Sequence, residues 1–311
     1  MIEFNGQTMG GAWQVRLAQL PLDPDALLNR LQRRLDALDL SLSTWTTESG
    51  LMRLNATPVG IWVDVERDLF DVAALSQNMM SLTDHAFDPF MGAEIQAAGF
   101  SGGHAAGDGA IGTPHGTAPL SFDATRMRMR RNTENWLDLS AIAKGFAADR
   151  LLGLLCDHGF HDACVEVAGD LAVRGTQAGG RPWSVSVELP VPDRRILYRD
   201  VQVHGGIATS GNTRNLREFR DETVTHLFDP VTRTPLRRSV SSVTVMADCA
   251  AKADALATAL FVMGRNGALT FANRNGLAII YLDACDGGLR EFSTGAFSFD
   301  AVPRESSKIT R

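Results

Sequence analysis

Residues 140–173 read SAIAKGFAADRLLGLLCDHGFHDACVEVAGDLAV, and this stretch decides the fold class. Its first half carries the apolar spacing of a helix over residues 140–158, which ends before Gly159, a residue suited to helix termination. Two short strand-like runs follow at 163–167 and 171–173, with turn residues between them. Working upstream, Asp23-Pro24 opens a run in which Leu27, Leu28, Leu31, Leu35 and Leu38 fall at i, i+3, i+4, i+7 spacing, and residues 64–82 repeat the pattern with Leu69, Val72, Ala73, Leu75, Ser76 and Met79. Downstream come strand-like runs at 183–189 and 241–246, a helix at 250–263, a short helix at 268–273 and a strand at 277–282. Helices and strands mix without a strict βαβ rhythm, so an α+β fold with a mainly antiparallel sheet is expected, as a single domain over residues 1–311.

The composition excludes several classes of function. With 44% apolar residues in 311, the chain has ample core-forming material and is not a disordered tail. Thirty Lys plus Arg against 36 Asp plus Glu leave a formal charge of -6, which argues against a broad footprint for nucleic acid. The longest apolar runs are broken by Asp, Arg or Gly, short of the roughly 20 residues a bilayer span needs, so no membrane insertion is expected. Residues 1–16 carry no basic head before an apolar run and no Cys at a lipid-anchor position, and a cytoplasmic address is expected. The four cysteines, Cys156, Cys164, Cys249 and Cys285, form no C-x-x-C pair and read as reduced, mostly buried thiols. Residues 91–116 hold eight glycines among scattered hydrophobics, and the second part, about 101–117, reads as a mobile surface loop.

Three segments can carry chemistry, each with an ordinary structural reading beside it. Walker, dinucleotide-fingerprint, zinc-protease and hydrolase-elbow motifs are absent. In Asp138-Leu-Ser-Ala-Ile-Ala-Lys144-Gly145, Asp138 or Ser140 can cap the helix that follows, whose free amides and positive end favour an anion, with Lys144 adding charge one turn in. The alternative is a plain capped helix with a solvated lysine. Asp254 and Thr258 are four apart, so on a helix they offer two hard oxygens on one face, as magnesium requires; otherwise the Thr bonds back to its own helix and the Asp faces water. His226, in Thr-His-Leu-Phe-Asp-Pro, has the usual pKa range of a proton acceptor but equally suits a structural hydrogen bond. His104 and His115 lie in the glycine-rich segment, where loose placement suits neither a base nor a ligand.

In chain order these segments resemble the flavin transferase family known as ApbE, which moves FMN from FAD onto a Thr or Ser of a target protein. The resemblance starts at Gly6-Gln-Thr-Met-Gly10 and runs through Ser43-Thr-Trp45 with Leu54-Asn55, and through Ala86-Phe-Asp-Pro89. It continues with the Asp138–Gly145 octapeptide, Ala208-Thr-Ser-Gly-Asn212, His226-Leu-Phe-Asp-Pro230 and Ala253-Asp-Ala-Leu-Ala-Thr258, ending near Gly295. It implies magnesium held by Asp254, Thr258 and the carbonyl of Ala141, FAD contacts at Met9, Trp45, Asp138, Lys144 and Phe228, and His226 as the catalytic base. The family's Trp-Gly-Phe stands here as Ala98-Gly99-Phe100, so one pocket wall lacks a large side chain, and its Asn-x-Gly-Gly-Asp reads Glu166-Val-Ala-Gly-Asp170. The ring of Trp45 resembles the transferase branch rather than the branch that hydrolyses FAD. The partners implied are FAD and a target flavoprotein with an acceptor Thr or Ser. The alternatives are a magnesium-dependent FAD diphosphatase giving FMN and AMP, and a non-catalytic FAD-binding protein.

Overall fold

The computed structural model describes residues 1–102, 118–192, 194–285 and 288–298. Eight strands form one sheet: β1 (Ile2–Thr8), β2 (Gly11–Leu17), β3 (Ala163–Val167), β4 (Asp170–Arg174), β5 (Gly205–Gly211), β6 (Ser241–Ala247), β7 (Ala278–Cys285) and β8 (Gly288–Thr294). Each lies antiparallel beside its predecessor, so the sheet is a meander whose long connections carry everything else. Three connections are two residues long; the turn of one, between Cys285 and Gly288, lies outside the described residues. Thr8 pairs with Gly11 across Met9-Gly10, and Val167 pairs with Asp170 across Ala168-Gly169. All four turn residues have positive φ (47°, 74°, 49° and 98°), the type I′ geometry that matches strand twist.

Between β2 and β3 the chain builds α1 (Pro24–Leu42), α2 (Gly50–Ala56), α3 (Arg67–Leu82), α4 (Gly92–Ala97) and α5 (Ala143–Asp157), with a small three-stranded sheet of Val63–Asp64, Arg128–Arg131 and Leu120–Asp123. The hairpin Trp183–Glu188 with Leu197–Val203 lies between β4 and β5, and two short hairpins of residues 216–225 and 228–235 lie between β5 and β6. The connection from β6 to β7 is α6 (Ala250–Asn275). Strand alternation divides the apolar residues between the two faces of the sheet. Val243 and Val245 of β6 with Ile279 and Tyr281 of β7 join the helices, whereas Met246, Ile280 and Leu282 join Trp183, Val187 and Val201 of the hairpin.

Most expected elements are present, and the differences have local causes. The run at 140–158 becomes helical only at Ala143: the Asp138 carboxylate accepts the Ser140 amide at 2.8 Å in a tight turn, and Ile142 stands at the helix start with no side-chain cap. Neither Asp138 nor Ser140 therefore caps α5. The helices at 250–263 and 268–273 are parts of α6, broken at Gly264 (φ 72°). This helix is long and apolar enough to cross a bilayer, which the sequence did not suggest, but Ala253, Ala257, Leu260 and Phe261 of its first half are buried in the core against the sheet and α5. Cys164 is buried, and Cys156 and Cys249 are partly so; all three are free thiols. Of the glycine-rich segment about 101–117, residues 103–117, with His104 and His115, lie outside the described residues.

Candidate active site

Two helix starts meet beside the sheet because small residues let them. A Cβ on Gly145 would lie 2.3 Å from the Ala250 carbonyl, and one on Gly206 would lie 2.1 Å from the Ala250 amide, so α5, β5 and the start of α6 touch backbone to backbone. Asp149 of α5 completes the junction, accepting the Ala250 and Ala251 amides at 2.9 Å each and satisfying free donors at the α6 N-terminus. The second turn of α6 then carries Asp254 onto Lys144. Lys144 Nζ donates to Asp254 Oδ1 and Oδ2 at 3.1 and 2.9 Å and lies 2.9 Å from Asp170 Oδ2, while the Gly145 amide donates to Asp254 Oδ2 at 3.2 Å.

This cluster is short of positive charge: two buried carboxylates share one ammonium. Burial and then the charge of Asp254 push the Asp170 carboxyl well above the usual carboxylate range, although Lys144 pulls the other way. Burial alone would ease the proton off Lys144, but Asp170 and Asp254 outweigh it and raise the pKa of its ammonium. One turn along α6, the Thr258 hydroxyl lies 3.2 Å from Ser210 Oγ of β5. The donors are hard oxygens around a deficit of charge, which suits a divalent cation of the magnesium type. Among the described residues no group of three or more His, Cys, Asp or Glu converges as a metal site, so a cation here would need hydroxyl, carbonyl or water oxygens as well.

The cluster opens into a cavity of about 1020 Å³, lined among others by Met9, Phe100, Ala141, Lys144, His226, Phe228, Asp254 and Thr258. Eight of the expected site residues thus share one space large enough for a dinucleotide. His226 is enclosed, with its ring 6.2 Å from that of Phe100. Its Nδ1 has no partner among the described residues, and it bonds the main chain at Asn215. Burial, then the charge of Lys144, lower its pKa to about 4, so the ring is neutral at neutral pH.

The other four expected residues do not line this cavity. Trp45 is 60% exposed, and the Arg217 guanidinium lies 6.0 Å from its ring and 5.6 Å from that of Phe100. Ala98 is buried in a small cluster with Met91 and Phe228, and Gly99 takes a left-handed turn (φ 79°) between them and Phe100. Asp138 is buried; burial raises its carboxyl pKa, and its Oδ2 has no partner among the described residues. Asp170, Ser210 and Arg217 are cavity residues that the sequence did not mark as candidates. Asp170 and Ser210 lie inside the quoted segments, whereas nothing in the sequence singles out Arg217.

Comparisons with known proteins show the family. A model of the ApbE family matches residues 9–281. The FAD:protein FMN transferase of Salmonella typhimurium is 31% identical over 90% of this chain and 83% of its own length. The structure of the flavin transferase ApbE from Vibrio cholerae superposes with a TM-score of 0.80 at 27% identity, over 96% of this chain and 98% of that one. The ApbE protein of Thermotoga maritima gives a TM-score of 0.80 at 26% identity, with 96% and 98% covered. A family match over most of the chain, a relative above 30% identity and superposition on solved structures over nearly the whole length lead to one conclusion: the chain belongs to the ApbE family.

Proposed function

We propose that this protein is an FAD:protein FMN transferase that attaches FMN, through a phosphodiester bond, to a Thr or Ser hydroxyl of a target flavoprotein. The hydroxyl oxygen attacks the FMN-side phosphorus of FAD, the bond to the bridging oxygen breaks, and AMP leaves with the electron pair. The observation that carries this reading is the shared cavity: the Lys144–Asp170–Asp254 cluster and the neutral ring of His226 line one space of dinucleotide size.

Each residue has a role that follows from its chemistry. Lys144 holds Asp170 and Asp254 together at the start of α5, where the helix end favours the diphosphate. His226 lines the cavity with a neutral imidazole, which can take the proton of the attacking hydroxyl. Phe100, Phe228 and Met9 give the cavity apolar surface for the flat rings of FAD, with Trp45 and Gly99 at its edge and Ala98 supporting it from behind. Magnesium fits the oxygen donors of Asp254, Thr258 and the Ala141 carbonyl, and when bound it supplies Lewis-acid neutralisation of the diphosphate.

Comparing two variants tests these roles. Asp254→Ala should abolish magnesium-dependent FMN transfer, and His226→Ala should keep FAD affinity while losing turnover. Wild-type transfer by Asp254→Ala would refute the metal assignment, and collapse of the FAD titration in His226→Ala would make His226 a binding residue instead of a base.

A further inference from the structure

The cavity has two aromatic walls that come from distant parts of the chain. Phe100 follows α4, while His226 and Phe228 sit before and within the 228–235 hairpin; the Phe100 ring is 6.2 Å from His226 and 6.5 Å from Phe228. Besides the packing of Phe228 on Met91 and Ala98, one charged side chain joins the segments that carry them. Arg233, in the turn of that hairpin, pairs through Nε with Glu94 Oε1 of α4, and its NH2 group donates to the Phe90 carbonyl at 2.9 Å, just before α4. Both side chains are nearly enclosed, at 10% and 12% exposure, so water screens the pair weakly. Arg233 also holds a left-handed backbone (φ 55°), a conformation at which glycine is at ease and arginine is strained. A turn of Asp229–Arg233, closed by the Arg233 amide on the Asp229 carbonyl at 2.7 Å, would form with glycine there; only the side chain reaches α4.

We propose that Arg233 and Glu94 form a positioning pair that fixes the spacing between the Phe100 wall and the His226–Phe228 wall, and so sets the affinity for FAD. The inference rests on the cavity being the FAD site. The pair touches no reacting atom; it acts through the two walls.

Arg233→Gly is the sharpest perturbation, because glycine relieves the backbone while cutting the link. FAD binding is read by flavin fluorescence titration in MgCl2, with thermal melts alongside. The expected result is a melting temperature lowered by about 3–5 °C, the cost of leaving the nearly enclosed Glu94 unpaired less the backbone relief, and an FAD dissociation constant raised by about tenfold or more. Glu94→Gln should weaken FAD binding in the same sense, and Arg233→Lys, which keeps the charge, should recover part of the loss. The double variant Glu94→Gln/Arg233→Gly should be no weaker than the poorer single one, since each cuts the same link. Should Arg233→Gly fail to fold, Glu94→Gln and Arg233→Lys carry the comparison. Wild-type FAD affinity in Arg233→Gly and Glu94→Gln, or losses that multiply in the double variant, would overturn the proposal. Absence of FAD binding by the wild type would instead refute the functional reading beneath it.

Discussion

Replacing Lys144 with Met removes the only ammonium shared by Asp170 and Asp254 while keeping most of the side-chain volume. Their side chains are 4% and 5% exposed, so they would be left as buried like charges. Removing one partner of a fully buried ion pair costs about 3–5 kcal/mol. Lys144 itself is 31% exposed to the cavity, which admits water and lowers the expected cost to about 2.5 kcal/mol. With an unfolding entropy of roughly 2.1 cal/mol/K per residue over this length, the melting temperature should fall by about 4 °C in metal-free buffer. The pH dependence follows from Asp170. Its carboxyl pKa lies above its unfolded value, so its contribution to stability is present in acid and is lost as pH rises through the raised value. Without Lys144 that pKa rises further, and because wild-type Asp170 keeps its proton up to about 8, the gap between variant and wild type should widen only as pH rises past that value. A divalent cation should replace the missing charge, so MgCl2 should raise the melting temperature of Lys144→Met more than that of wild type. Scanning calorimetry from neutral to mildly alkaline pH, with and without MgCl2, reads both effects. A variant that melts with the wild type in chelator, or that gains no more from magnesium, would refute the charge deficit on which the site assignment stands.

Two further outcomes test separate parts of the structure. Because His226 titrates near pH 4, wild-type turnover should show no histidine limb between pH 5.5 and 8, and His226→Ala should lower turnover by about 100-fold, the low end for a base this weak; a pH–rate limb near 6.5 would place the base elsewhere. Ala168 holds φ 49° in the turn between β3 and β4, and the strain of about 1–2 kcal/mol there exceeds the entropic cost of about 0.4–1 kcal/mol for glycine. Ala168→Gly should therefore raise unfolding stability in urea by about 0.5–1 kcal/mol, and a lower midpoint would show that the turn is unstrained.

Legibility of the sequence followed physical locality. The strand Ala163–Val167 and the break in α6 near Gly264 could be read because alternation and helix-breaking are short-range properties. Gly205–Gly211 could not, because its glycines serve a tertiary contact with Ala250 and leave no apolar alternation to read. The start of α5 was misplaced by three residues, since an Asx-type turn and a capped first turn look alike in sequence. In the site, the one-turn spacing of Asp254 and Thr258 was visible, whereas the Lys144–Asp254 contact spans 110 positions and depends on Gly145 admitting the α6 start. Asp170 escaped for the same reason: only the folded sheet brings the end of a tight hairpin turn beside Lys144.

The reaction itself gives the most direct test. The protein is incubated with FAD, MgCl2 and a flavoprotein bearing an accessible Thr or Ser, and the products are resolved on a denaturing gel with AMP measured in parallel. Flavin fluorescence that migrates with the acceptor, matched mole for mole by AMP, is the expected result. Free FMN with AMP would make the protein a diphosphatase, and bound FAD with no AMP would make it a carrier; either would contradict protein flavinylation by this chain.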